Sequence, residues 1–227
     1  LQIDDEYYAL ARAKSKIISD QRTTSKLNQG GVDFIELRSL DIDPFTRTGI
    51  KEETTLFLEV LLTYCFVKQD QLFSSEEIEN INHNDSLVAK TGRKPNLELI
   101  RNGKKISLSA WGNQIMGNLY PIAAILDCEG AKYSIAIDNA KEKINNPDQT
   151  VSAQILELLS SNNASFLELG MSIGKEHKDY FLESKKSTNQ SWDLLEKEAK
   201  ESIAEQETLE KNDSLSFESY VENYFKP

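Results

Sequence analysis

The sequence predicts an α+β fold, with strands of a mainly antiparallel sheet at its N-terminal end followed by a mostly helical region. Three observations carry that reading. Residues 1–14 and 32–40 alternate between apolar and polar with period two, as half-buried strands do. Asp43-Pro44 then breaks the pattern, because proline has no N–H to give to a ladder. Beyond it, apolar residues recur three and four apart for most of the remaining length. Residues 1–45 are thus expected to form the strand region and 46–227 the helical one, with a small hairpin near 97–108.

Within the first segment, Leu1, Ile3, Tyr7, Ala9 and Ala11 point one way, and Gln2, Asp4, Glu6, Tyr8, Arg12 and Lys14 the other. The polar stretch from Ser19 to Gly31 reads as a loop with room for one helical turn, closed by Gly30-Gly31. In the strand at 32–40, Glu36 and Arg38 share a face with Val32, Phe34 and Leu40. The middle of the stretch from Lys51 to Asp70 is almost wholly apolar, which predicts a helix buried on several sides. Ser74 and Glu77 stand at capping-box spacing and open the next helix, which Gly92-Arg93-Lys94-Pro95 ends.

Leu97 to Leu108 alternates around Asn102-Gly103 like a hairpin, with Lys104-Lys105 leaving its register open. Ile115, Leu119, Ile122 and Leu126 mark a helical stripe that Pro121 should kink or interrupt. Further helices are expected near 130–145, 148–161 and 164–185. Trp192, Leu195, Ala199, Ile203 and Gln206 keep helical spacing within a Lys/Glu-rich, solvated segment, and Phe217, Tyr220, Val221 and Tyr224 predict a short terminal helix that docks on the body.

Bulk properties narrow the function classes. A chain of 227 residues with 39% apolar content can bury a core for one large or two small domains. A net charge of −11 repels phosphate backbones and anionic membranes, so neither nucleic acid nor a membrane is an expected partner. The apolar concentration from Leu56 to Val67 falls short of the roughly 20 residues a bilayer span needs. Cys65 and Cys128 occur without a CxxC pair or a Cys/His cluster, which suits a reducing, cytoplasmic compartment, and both are expected in the core. The sequence opens on Leu1-Gln2-Ile3 with no signal-peptide pattern, and it is expected to begin within a longer protein.

Two faces carry chemistry. On the strand at 32–40, the Glu36 carboxylate and Arg38 guanidinium stand side by side among apolar residues, an arrangement that calls for each other, a metal or a ligand as partner. A structural ion pair on an edge strand would read identically. Tyr8, Arg12 and Lys14 offer a phenol and two cations, enough to bind a small zwitterion or attract phosphate, although water-facing strand residues look the same. No G-x-x-x-x-G-K-[ST] sequence occurs, so no P-loop is present. His177 lies on an apolar helical stripe and reads as a satisfied, partly buried histidine; His83 sits in a solvated polar run. Trp111 and Trp192 read as packing residues.

Leu1-Gln2-Ile3, Glu6-Tyr7-Tyr8-Ala9, Gly30-Gly31, Phe34-Ile35-Glu36-Leu37-Arg38-Ser39-Leu40-Asp41 and Pro44-Phe45 together resemble the C-terminal half of a proteobacterial-type glutamate–cysteine ligase, also called gamma-glutamylcysteine synthetase. Gly92-Arg93-Lys94-Pro95, Asn146-Pro147-Asp148, Ser152-Ala153 and Ile155-Leu156 extend the likeness. The sequence departs from the family's Tyr-x-Pro-x-Arg-Pro-Lys run, with Leu10 and Ala13 in place of the prolines, and has Gln154 where an arginine is common.

The resemblance implies that residues 1–45 contribute strands to a glutamine-synthetase-like catalytic sheet. It further implies an ATP-dependent carbon–nitrogen ligase that joins L-glutamate to L-cysteine in the first step of glutathione biosynthesis. Glu36 would be a metal ligand, Arg38 a catalytic residue facing the phosphoryl group and glutamyl substrate, and Tyr8 part of the cysteine pocket. The cofactor would be Mg²⁺, with Mn²⁺ as substitute, and ATP a co-substrate. The partner would be the family's N-terminal half, in a monomeric protein, and the chain alone is expected to be inactive. Two other readings stand beside this one, a related ligase with another amine substrate and a non-catalytic interaction module.

Overall fold

A computed structural model describes residues 3–6, 8–16, 22–68, 72–128, 130–185 and 189–225. The fold is α+β, mostly helical with two small antiparallel sheets among the described residues. It divides into two compact units, one made of Leu1–Ile42 and Lys178–Pro227 and the other of Asp43–His177.

In the first unit, a 3-10 turn at Asp4–Glu6 precedes strand β1 (Ala11–Lys14), helix α1 (Thr23–Gly30) and strand β2 (Phe34–Leu37). The alternation over residues 1–14 therefore becomes strand only at its end; Leu1, Gln2 and Tyr7 lie outside the described residues. The Asp4 carboxylate accepts bonds from the Thr24 N–H and hydroxyl at 3.3 and 2.6 Å and from Arg22 at 3.1 Å. It thereby satisfies one amide group at the start of α1 that the helix itself cannot pair. That distant cap explains why a stretch expected to be loop forms an eight-residue helix. Helices α8 (Asn189–Asn212) and α9 (Phe217–Tyr224) also belong to this unit, and Arg22 lies over the Phe225 ring at 4.9 Å, so the segment ending α9 docks as expected.

In the second unit, α2 (Glu52–Val67), α4 (Leu108–Leu126) and α5 (Lys132–Asn145) pack around Val60, Met116, Leu119, Ala123 and Ile137, all buried. Helix α3 (Ser75–Thr91) opens with the capping box: Glu77 N–H bonds to the Ser74 hydroxyl at 3.2 Å and Ser74 N–H to the Glu77 carboxylate at 2.8 Å. Strands β3 (Glu98–Arg101) and β4 (Lys104–Ser107) form the second hairpin, and its register pairs Arg101 with Lys104. Asn102 and Gly103 both take positive φ, 51° and 69°, as a two-residue turn of this kind demands. Helix α6 (Val151–Asn162) follows, and α7 (Phe166–Lys185) contains the division between the units.

One expectation is narrowed and one corrected. Pro121 does not interrupt α4, which runs unbroken from Leu108 to Leu126. Met116 and Leu119 before the proline and Ala123 after it are buried in the three-helix core, and that packing outweighs one lost backbone bond. Cys65 and Cys128 are free and exposed rather than core thiols. Cys65 lies on the side of α2 away from buried Val60, beside the exposed Phe66, and Cys128 follows the end of α4. His177 is partly buried and His83 exposed, as read from the sequence.

Candidate functional site

The β1–β2 hairpin brings the two chemically equipped faces together. Its register sets Arg12 opposite Glu36 and Lys14 opposite Phe34, and Arg38 N–H bonds to the Leu10 carbonyl at 2.8 Å. Directly opposed residues in an antiparallel pair project to the same side. Arg12, Lys14, Phe34, Glu36 and Arg38 therefore share one face, in a unit whose buried described residues reduce to Arg12.

Glu36 is the electrostatic centre of that face. Arg38 donates to its two carboxylate oxygens through Nε and Nη2 at 2.9 and 3.2 Å, and the Lys14 ammonium lies 3.2 Å from Oε2. The Arg38 hydrogen bonds first, and that of Lys14 second, hold the Glu36 carboxyl below its ordinary range. The Arg38 guanidinium also lies over the Tyr8 ring, 5.8 Å from its centroid. Tyr8, Glu36 and Arg38, singled out from sequence, thus form one connected cluster with Lys14. Glu36 and Arg38 are bonded to each other and remain partly open to solvent, so the face is neither a pair of free groups nor a sealed internal salt bridge. Asp33 is engaged elsewhere, accepting from the Lys16 N–H at 2.7 Å and the Ser15 hydroxyl at 3.3 Å.

Magnesium takes several hard oxygen ligands in octahedral geometry. Glu36 offers one carboxylate, and no group of three or more His, Cys, Asp or Glu able to hold a metal stands among the described residues. Glu36 can supply a ligand, but the residues present do not by themselves make a magnesium site.

Other polar arrangements were not visible in the sequence. Asn84, buried in α3, donates to the Ile100 carbonyl at 2.7 Å and accepts from the Ile100 N–H at 2.9 Å, so its amide pairs with β3 as a neighbouring strand would. No periodicity marks a contact between residues 16 positions apart. In the helical unit, a cavity of about 300 Å³ is lined by Phe57, Met116, Ala136, Ala140 and Ile144. Glu53 closes its rim by bonding Asn139 at 2.8 Å and Lys143 at 3.3 Å.

The family model described as Glutamate-cysteine ligase matches residues 1–88, which contain the whole cluster. The resemblance read from the sequence is thereby borne out, and the chain is similar to the glutamate–cysteine ligases. The glutamate–cysteine ligase of Alcanivorax borkumensis is 36% identical, over 99% of this chain and 43% of its own length. That of Bordetella parapertussis is 33% identical over the same two shares. The crystal structure of glutamate–cysteine ligase from Francisella tularensis in complex with AMP matches with a TM-score of 0.86 at 29% identity, covering 99% of this chain and 44% of that one. The chain thus spans less than half the length of the relatives it matches.

Proposed function

We propose that this chain is part of an ATP-dependent ligase that joins the γ-carboxylate of L-glutamate to the amine of L-cysteine, the first step of glutathione biosynthesis. In this reading the γ-carboxylate attacks the terminal phosphorus of ATP, ADP leaves, and the cysteine amine then displaces phosphate from the γ-glutamyl phosphate. The observation that carries it is that Tyr8, Glu36 and Arg38, which the family resemblance assigns to one site, stand in one cluster. Arg38 would meet the phosphoryl and glutamyl oxygens, since a guanidinium fork matches phosphate and carboxylate geometry. Tyr8 would line the cysteine pocket. Glu36 would contribute one oxygen ligand to Mg²⁺, or to Mn²⁺ in its place, and the remaining ligands would come from the part of the family's length that this chain does not span. The metal would supply charge stabilisation to the phosphoryl group. No helix of the described residues is long and apolar enough to cross a membrane, and the proposed location is the cytoplasm.

The test is ADP release in a polypeptide of the family's full length that carries this stretch. Turnover should require glutamate, cysteine and Mg²⁺ together, and the 227-residue chain alone should give none. Replacing Glu36 and Arg38 by Met and Leu should abolish turnover. Retained turnover would reduce the two to a structural ion pair, a second reading that their mutual bonds at 2.9 and 3.2 Å favour. Faster turnover with another amine would point to a related carboxylate–amine ligase.

A further inference from the structure

The sequence predicts that helix α2 is buried on several sides, yet of its 16 residues Val60 alone is buried. One side is accounted for by the three-helix core, in which Phe57, Leu61 and Tyr64 also take part. The opposite side is not. Thr55, Glu59, Leu62 and Phe66 fall on one stripe of the helix, and all four are exposed or nearly so. Glu59 accepts from the Tyr133 hydroxyl at 2.9 Å, so toward the C-terminal end the stripe is hydrocarbon: Leu62, then Phe66, which is 91% exposed, with Cys65 and Val67 on either side in sequence. Leu72 and Phe73 follow, 99% and 61% exposed. A single apolar side chain at a surface needs no explanation, whereas a run of them marks an interaction surface.

Two observations say what covers it. The chain spans 43% of the Alcanivorax relative and 44% of the Francisella chain, so more than half of the family's polypeptide has no counterpart here. The family model matches residues 1–88, which hold all of α2 but neither α4 nor α5. Helix α2 therefore falls within the same family match as the β1–β2 hairpin, while its own core partners lie beyond that match. We propose that Leu62, Phe66 and Val67, with Leu72 and Phe73, form an interface on which the part of the family's polypeptide that this chain does not span packs an apolar face. The inference goes beyond the ligase reading, because it rests on similarity to longer relatives and not on the reaction. No Asp, Glu, Lys or Arg occurs from Val60 to Val67, so recognition here is by fit of hydrocarbon rather than by charge. Permanent interfaces are more apolar than transient ones, which suits a constant neighbour in one polypeptide.

Cys65 stands within this surface and reports on it, since thiol labelling requires access. The experiment is maleimide labelling of the 227-residue chain and of a polypeptide of the family's full length that carries this stretch. The label is located by peptide mass spectrometry, and each rate is taken relative to the same polypeptide in urea. Cys65 should react freely in the 227-residue chain and at least about tenfold more slowly in the longer polypeptide. Equal rates in the two would overturn the proposal. So would slow labelling of the 227-residue chain itself that strengthens with concentration alongside a dimer mass, because the occupant would then be a second copy. These two outcomes are read on unmodified protein and do not depend on a variant folding. Phe66→Ser adds a second check: it should leave thermal unfolding of the 227-residue chain unchanged and restore Cys65 labelling in the longer polypeptide. A lowered unfolding temperature in the 227-residue chain would overturn the proposal, since Phe66 would then be packing within the helical unit. Because labelling needs neither metal nor turnover, failure of the ligase reading would appear separately, as missing ADP release beside a protected Cys65.

Discussion

In the unit Asp43–His177, Val60, Leu119 and Ile137 are completely buried and Met116 nearly so, at the meeting of three helices. In the unit of Leu1–Ile42 and Lys178–Pro227, the buried described residue is an arginine, while Val32, Phe34, Ile35 and Leu40 remain exposed on and beside the strand β2. The unit Asp43–His177 is held by hydrocarbon. The other carries polar contacts: Asp4 on Thr24 and Arg22, Asp33 on Ser15 and Lys16, and Glu36 on Arg38 and Lys14. Apolar burial is worth far more per residue than a partly exposed ion pair. The candidate cluster therefore lies on the less strongly packed part of the described residues.

Three measurements would break or sharpen this contrast. Leu119→Ala should cost the helical unit roughly 2–5 kcal/mol in urea unfolding, the range for a large aliphatic side chain removed from a packed core. A loss under about 1 kcal/mol would mean that the three-helix core is not its anchor. Next in size, Asn84→Leu should cost roughly 1–3 kcal/mol, since it leaves the Ile100 N–H and carbonyl without their partner. Hydrogen exchange at Ile100 should rise with it; unchanged exchange would show that another group takes over the pairing.

The smallest effect concerns the hairpin and depends on pH. The Glu36 carboxyl is lowered from an ordinary value of 4.5 by Arg38 first and Lys14 second. Its contribution is thus present above that ordinary value and is lost as pH falls through the lowered folded value. A carboxyl ¹³C titration should place the Glu36 midpoint below 4.5, and Arg38→Met should move it upward. A midpoint unmoved by Arg38→Met would mean the bidentate pair does not persist in solution. Because these groups are about one-third exposed, global stability should change little across that range.

Local signals in the sequence were reliable where short-range physics decides. The Ser74/Glu77 box, the Asn102-Gly103 turn and the long apolar helix at 52–67 each follow from contacts within a few residues. They failed where a distant group intervened. Asp4 turns an expected loop into α1 from twenty residues away. Core packing carries α4 through Pro121. Asn84 looked like one of several solvated polar residues until β3 lay against it. Nothing in the Lys/Glu-rich composition after Ser184 tied that stretch to the unit of the first strands.

For the candidate site, alternation alone put Arg12 and Lys14 on one side of the first strand and Glu36 and Arg38 on one side of the second. Whether those two sides coincide is a question of register, and a slip of one residue would have turned them to opposite faces. The pairing of Arg12 with Glu36 settles it. Sequence thus determined which groups were available, through the period of the strand, and only the tertiary structure decided that they form one cluster.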